Sequence, residues 1–236
     1  MITIGALNLG NGPRIAVPFR DGTRQEDIRR ARELGMHLAE LRIDLYSATD
    51  TSHVLGEVEK FAGVPTLATI RSSQEGGKWD KSDAERLALF EAVIPHVDAV
   101  DIEISSQEIR DDVIATARNA GKTIIASFHD FKGTPPLHVI QAMADEGWKN
   151  RATAVKVATR CEDWNDLRTL AEFTLHNVSL GVVSIGMGPT GTVSRILFPA
   201  LGSLFTFASF GEGTAPGQLT LEETAGYLRG LYPVTS

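Results

Sequence analysis

Short apolar runs alternate with stretches of helical spacing from one end of the chain to the other. Strands are predicted at residues 14–18, 37–45, 66–71, 97–104, 123–129, 153–158, 179–184 and 204–210, where apolar and β-branched side chains cluster. Helices are predicted between them, at 24–34, 51–61, 83–94, 107–119, 136–146, 163–175, 192–198 and 220–231. Asp50-Thr51-Ser52 and Thr134-Pro135-Pro136 supply start signals, and Gly121 and Gly147 fall where helices are expected to stop. Eight strand–helix units in succession predict an α/β fold, a (β/α)8 barrel of the TIM type, as a single domain over residues 1–236. An open doubly wound sheet is the alternative. It is disfavoured because no glycine-rich dinucleotide fingerprint follows the first strand.

Several strands alternate charged and apolar residues. In Glu40-Leu41-Arg42-Ile43-Asp44-Leu45 the charges share one face and the apolar side chains the other. On a half-exposed sheet that would be a wet face. In a barrel the apolar face lies under the helices, so Glu40 and Arg42 point inward near the strand's carboxyl end, where barrel enzymes carry their active sites. Asp101-Ile102-Glu103-Ile104 repeats the pattern. Arg71 and Glu75 follow the third strand, His129 ends the fifth, and Arg195 follows the glycine-rich segment after the seventh. Each charge alone suits a solvated loop, but charges converging inside a closed barrel require partners or a ligand.

Lys156 stands out among them. It lies in Ala154-Val155-Lys156-Val157-Ala158, a run that reads as a buried strand, and alternation places it on the face of the two small alanines. A lysine at a strand end can also snorkel to water. Held dry, its amine is a nucleophile toward carbonyls. Of the six histidines, only His129 occupies a strand end next to that lysine. It suits either a hydrogen-bonded core residue or an acid/base group.

Composition narrows the partners. The chain has 236 residues, 42% hydrophobic and 22% charged, which is ample for a core, and a net charge of −7 that argues against nucleic acid. The single cysteine, Cys161, excludes an intrachain disulfide and a thiolate metal cluster. Met1 to Gly5 lack the pattern of a signal peptide, and no apolar run approaches the ~20 residues of a membrane span. A cytoplasmic protein with no membrane partner is expected.

Six segments together resemble the type I 3-dehydroquinate dehydratases of the shikimate pathway: Glu40-x-Arg42-x-Asp44, Arg71-Ser72-x-x-Glu75-Gly76-Gly77, His129-Asp130-Phe131, Lys156 in its strand, Thr190-Gly191-x-x-Ser194-Arg195 and Ala215-Pro216-Gly217-Gln218. The resemblance runs from about residue 15 to residue 231. It implies a (β/α)8 lyase that dehydrates 3-dehydroquinate to 3-dehydroshikimate, without cofactor or metal, as a homodimer. By the same resemblance Lys156 is the Schiff-base lysine, His129 the general acid/base, and Glu75 the carboxylate that orients the imidazole and favours its protonated form. Glu40, Arg42 and Arg71 would hold ring hydroxyls. Arg195, Thr214 and Gln218 would hold the substrate carboxylate. The chain departs from the family pattern at Thr214, where serine is common, at Pro18, where a serine often touches substrate, and in the glycine-rich stretch from Ser184 to Gly188. Two other readings are a class I aldolase using Gly186 to Gly191 for phosphate, and a silent metabolite-sensing barrel. The second should lack the nucleophile or the base, and this chain has both.

Overall fold

The computed structural model describes residues 1–211 and 218–232. A hairpin, β1 (Thr3–Ile4) and β2 (Leu7–Asn8), precedes eight parallel strands: β3 (Ile15–Phe19), β4 (Leu38–Arg42), β5 (Thr66–Thr69), β6 (Ala99–Glu103), β7 (Thr123–Asp130), β8 (Ala154–Arg160), β9 (Val182–Met187) and β10 (Thr206–Phe207). The helices that cover them are α1 (Gln25–Leu34), α2 (Thr51–Glu59), α3 (Asp83–Val93), α4 (Arg110–Asn119), α5 (Leu137–Lys149), α6 (Trp164–His176), the single turn α7 (Gly188–Gly191), α8 (Ser194–Leu201) and α9 (Leu221–Leu231). The sheet order is β10-β3-β4-β5-β6-β7-β8-β9. A parallel bridge from Val182 of β9 to Ser203, just before β10, joins the two ends of that order, so the ring closes. The barrel expected from the alternation is the fold observed.

Strand alternation sorts the side chains into two environments. Outward residues such as Val155 and Val157 on β8 pack with Ile140, Ala144, Leu170 and Phe173 of α5 and α6. Inward residues near the amino ends, Ala16, Leu38, Leu67, Ala99, Ile125, Ala154 and Val183, form a second apolar core inside the ring. The hairpin plugs this end, with Ile4 and Leu9 buried in the same core. Burying a side chain of this size is worth about 1.5–3 kcal/mol. Above that floor the inward positions turn polar: Glu40, Thr69, Arg71, Asp101, Glu103, Ser127 and Lys156 are all buried. The apolar floor and the charged upper layer thus follow from one period-two pattern.

Three expectations needed correction. The seventh strand begins at Val182 rather than at 179, because Val178–Leu180 form a 3-10 turn and Gly181, at φ +83°, redirects the chain. Gly147 does not end a helix but lies within α5. A Cβ there would come within 2.9 Å of Val155 and 3.1 Å of Ala126, so the absent side chain lets the helix close on the barrel wall. The hairpin was not anticipated, since two-residue strands leave no periodic signal.

Candidate active site

The charged upper layer opens into a cavity of ≈110 Å³ at the carboxyl ends of the strands. Lys156 from β8, His129 from β7, Glu40 and Arg42 from β4, Arg71 and Glu75 after β5, Arg195 on α8, and Gln218 all line it. Phe131, Ile185, Met187 and Phe207 supply its apolar walls. Thr214 lies outside the described residues. Eight of the nine residues singled out in the sequence therefore share one cavity.

Lys156 is 5% exposed, so its amine is held inside the barrel rather than snorkelling to water. Its Nζ donates to Asp101 Oδ2 at 3.0 Å, lies 3.9 Å from Glu40 Oε1, and sits 4.7 Å from the centroid of the Phe207 ring. Two carboxylates and an aromatic face thus lie near the amine, and Arg71 holds the other oxygen of Asp101. Burial alone would raise the Asp101 carboxyl, but Arg71 first and then Lys156 hold it well below the ordinary carboxylate range. It is a fixed anion. The sequence marked Asp101 as one of the inward charges and gave it no role; its face shared with Glu103, and its place opposite Thr69, two residues before Arg71, were the available signal.

His129 is positioned through Glu75. The Glu75 side chain comes from a 3-10 turn, Ser73–Glu75, whose start is capped by Ser72 Oγ accepting from the Gln74 N–H. Glu75 Oε2 accepts from the His129 backbone N–H at 2.9 Å and faces His129 Nδ1 at 3.0 Å. Oε1 accepts from Ser105 Oγ. As a carboxylate, Glu75 accepts a hydrogen bond from Nδ1–H, which keeps that proton on Nδ1 and leaves Nε2 as the imidazole's reactive nitrogen. Gly76 follows immediately, at φ +79°, directly beneath the Phe131 ring, where any Cβ would collide with it.

The electrostatics of this pair set its resting charge. Desolvation, followed by the nearby Arg71 and Lys156 charges, pushes His129 well below its ordinary value, so the resting imidazole is neutral rather than protonated. Burial raises Glu75 from its ordinary 4.5 to about 7, against the lowering effect of the Ser105 hydrogen bond and Arg71. Low polarity around the pair favours the neutral form of each partner.

The remaining cations differ in their attachments. Arg42 is bidentate to Asp44, at 3.0 and 2.8 Å. Arg71 bridges two buried carboxylates, donating to Asp101 at 2.6 Å and Glu103 at 2.9 Å, and to Ser127 Oγ at 2.7 Å. Glu40 Oε1 accepts from Thr69 Oγ1 at 2.9 Å. Arg195 is 1% exposed and donates to the Phe207 carbonyl at 3.4 Å; desolvation lowers it to about 10. The glycine-rich stretch is tightly packed. Gly186 packs against Gly191 and Cys161, so these glycines permit close backbone contact between β9 and α7.

Fold and site define a (β/α)8 barrel protein that sets a buried lysine amine and a carboxylate-oriented imidazole into one polar cavity. Comparison with known proteins is specific. The type I 3-dehydroquinase family model matches residues 15–233. The 3-dehydroquinate dehydratase of Methanococcoides burtonii is 33% identical over 94% of this chain and 96% of its own. That of Aquifex aeolicus is 35% identical over 89% of this chain and 94% of its own. The crystal structure of the Geobacillus kaustophilus 3-dehydroquinate dehydratase superposes with a TM-score of 0.89, at 27% identity, covering 100% of this chain and 97% of that one. The chain belongs to the type I 3-dehydroquinase family.

Proposed function

We propose that this protein dehydrates 3-dehydroquinate to 3-dehydroshikimate, in the shikimate route to chorismate and the aromatic amino acids, through an imine on Lys156. The single observation that carries the reading is the shared cavity of Lys156 Nζ and the Glu75-oriented His129 imidazole. The substrate is a cyclic ketone bearing a carboxylate. Arg195 anchors that anion with Gln218 beside it, and Glu40 and Arg42 face the ring hydroxyls. Thr214 belongs to the same carboxylate site by family resemblance.

The Lys156 amine attacks the ketone carbon; the carbonyl oxygen leaves as water, carrying one proton from the amine and one taken up from solvent, and a protonated iminium remains. The iminium accepts electron density and so acidifies the neighbouring C–H. His129, neutral at rest, takes that proton on Nε2, and Glu75 stabilises the imidazolium that forms. The enamine then expels the hydroxyl, which leaves as water with the proton from His129. Hydrolysis of the new iminium returns the enone product and the free amine. Incubating the protein with 3-dehydroquinate should produce ultraviolet absorbance from the conjugated enone. A protein that binds the ketone without producing that signal would be a sensor instead.

Arg195→Ala should raise KM by roughly 10–100-fold, the loss of a charge-assisted hydrogen bond worth about 1.5–3 kcal/mol. Titration with carboxylate ligands should show the same weakening, and an unchanged affinity would move the anion site elsewhere. A homodimer and a cytoplasmic location belong to the same reading. Sedimentation equilibrium tests the first. No helix among the described residues is long and apolar enough to cross a membrane.

A further inference from the structure

The charges beneath Lys156 form a continuous chain that reaches the outside of the barrel wall. Arg86 lies on α3, in the outer helix layer, yet is 1% exposed. Its guanidinium passes between the carboxyl ends of β5 and β6. Nε donates to the Ile70 carbonyl at 2.7 Å, Nη1 to Ser106 Oγ at 3.0 Å, and Nη2 pairs with Glu103 Oε2. The other oxygen of Glu103 accepts from Arg71 Nη1 and from the Ser72 N–H, each at 2.9 Å. Arg71 Nη2 holds Asp101 Oδ1, which also accepts from Ser127 Oγ at 2.6 Å. Asp101 Oδ2 is left to Lys156. Signs alternate along the chain: Arg86, Glu103, Arg71, Asp101, Lys156.

We propose that Arg86 is a positioning residue for imine formation: through Glu103 and Arg71 it fixes Asp101 beside Lys156 Nζ as the counter-ion of the iminium formed on that nitrogen. The proposal rests on Lys156 being the imine-forming residue. Its physical basis is the cost of the chain. A buried ion pair often stabilises a fold no better than apolar side chains of equal volume. A barrel wall built only for stability gains little from four charges in addition to the lysine. What the chain does provide is orientation. Both Glu103 oxygens and both Asp101 oxygens have donors, and Arg71 is clamped on two sides, so the Asp101 carboxylate cannot rotate away from Nζ. The iminium carries one positive charge on that nitrogen, and a preorganised anion stabilises it without reorganisation.

The test measures borohydride-trappable imine formation with 3-dehydroquinate in a single turnover, as a rate per trapped site, alongside steady-state kcat and KM. Arg86→Met and Glu103→Gln should each slow trapping and lower kcat about tenfold, while KM moves less than about twofold. The double variant should be no slower than the worse single one, because both act through the same arm. Arg86→Lys, which keeps the charge and loses the fork, should fall between. Should Arg86→Met fail to fold, Arg86→Lys and Glu103→Gln carry the same comparison. Unchanged per-site rates, or losses that multiply in the double variant, would overturn the positioning role, since a merely structural effect lowers the number of active sites and not the rate at each. Absence of trapping in the unaltered protein would remove Lys156 from the mechanism and this proposal with it. Trapping at an equal rate in all variants would remove the proposal alone.

Discussion

Lys156→Ala should reduce turnover of 3-dehydroquinate by a factor on the order of 10⁴ or more, the scale seen when a covalent nucleophile is deleted. No other described lysine lines the cavity, so no second amine can take over. Borohydride treatment in the presence of substrate should add the mass of the reduced adduct to the unaltered protein and none to the variant. Undiminished trapping in the variant would remove Lys156 from the reaction. The fold should persist, because Asp101 keeps Arg71 at 2.6 Å and Ser127 at 2.6 Å once the amine is gone. An unpartnered buried carboxylate would have cost several kcal/mol; one that retains a guanidinium costs less. Binding of a carboxylate ligand should survive too, since Arg195 reaches the cavity from α8 and not from the lysine's strand. A variant that binds, folds and neither turns over nor traps would isolate the amine as the reacting group.

How much of this site could be read from the chain depends on which residues advertise themselves. Lys156 did, because a lysine flanked by valines and alanines has no wet neighbour, and strand alternation alone fixed its direction. Glu40 and Arg42 did for the same reason. Arg86 did not. In Asp83-Ala84-Glu85-Arg86-Leu87 it reads as one more charge on the polar face of an amphipathic helix, and its burial arises only when α3 packs over the gap between β5 and β6. Asp101 and Glu103 were visible as inward charges, but their pairing with Arg71 spans about thirty residues of sequence and follows from register, not from spacing. Gly147 misled because a glycine near a helix end has two explanations, a left-handed cap or a close contact, and only packing separates them. The Glu75 partnership was legible, but the resting charge of the imidazole was not. A carboxylate next to a histidine favours its charged form in water, but desolvation of both groups outweighs that attraction here.

His129→Ala should separate the two halves of the reaction. The amine, its counter-ion and the carboxylate anchor remain, so the imine should still form and be trapped by borohydride, while elimination slows by roughly 10²–10⁴, the usual contribution of a general acid/base. Normal turnover in that variant would assign the proton transfer to another group. The pH profile of the unaltered enzyme bears on the same assignment. Glu75 must be ionised to stabilise the imidazolium, and burial places its titration at about 7. The rate should therefore fall on the acid side with a midpoint near that value, which belongs to the Glu75–His129 pair as a unit. Glu75→Gln should remove this limb and lower the plateau by roughly tenfold, the loss of one hydrogen bond to a charged group. Stability has the opposite dependence. A carboxyl raised from 4.5 to about 7 on folding binds its proton more tightly in the native state, so its contribution is full below 4.5 and is lost as pH rises through about 7. His129, held well below its ordinary 6.5, contributes with the opposite sign over part of this range, so the Glu75 share is read as the difference in chemical-denaturation stability between the unaltered protein and Glu75→Gln, which should shrink as pH rises from 4.5 to 7. The carboxylate form that supports catalysis is then the form that folding disfavours, and a variant that gained stability while losing its acid limb would show both effects arising from one buried group.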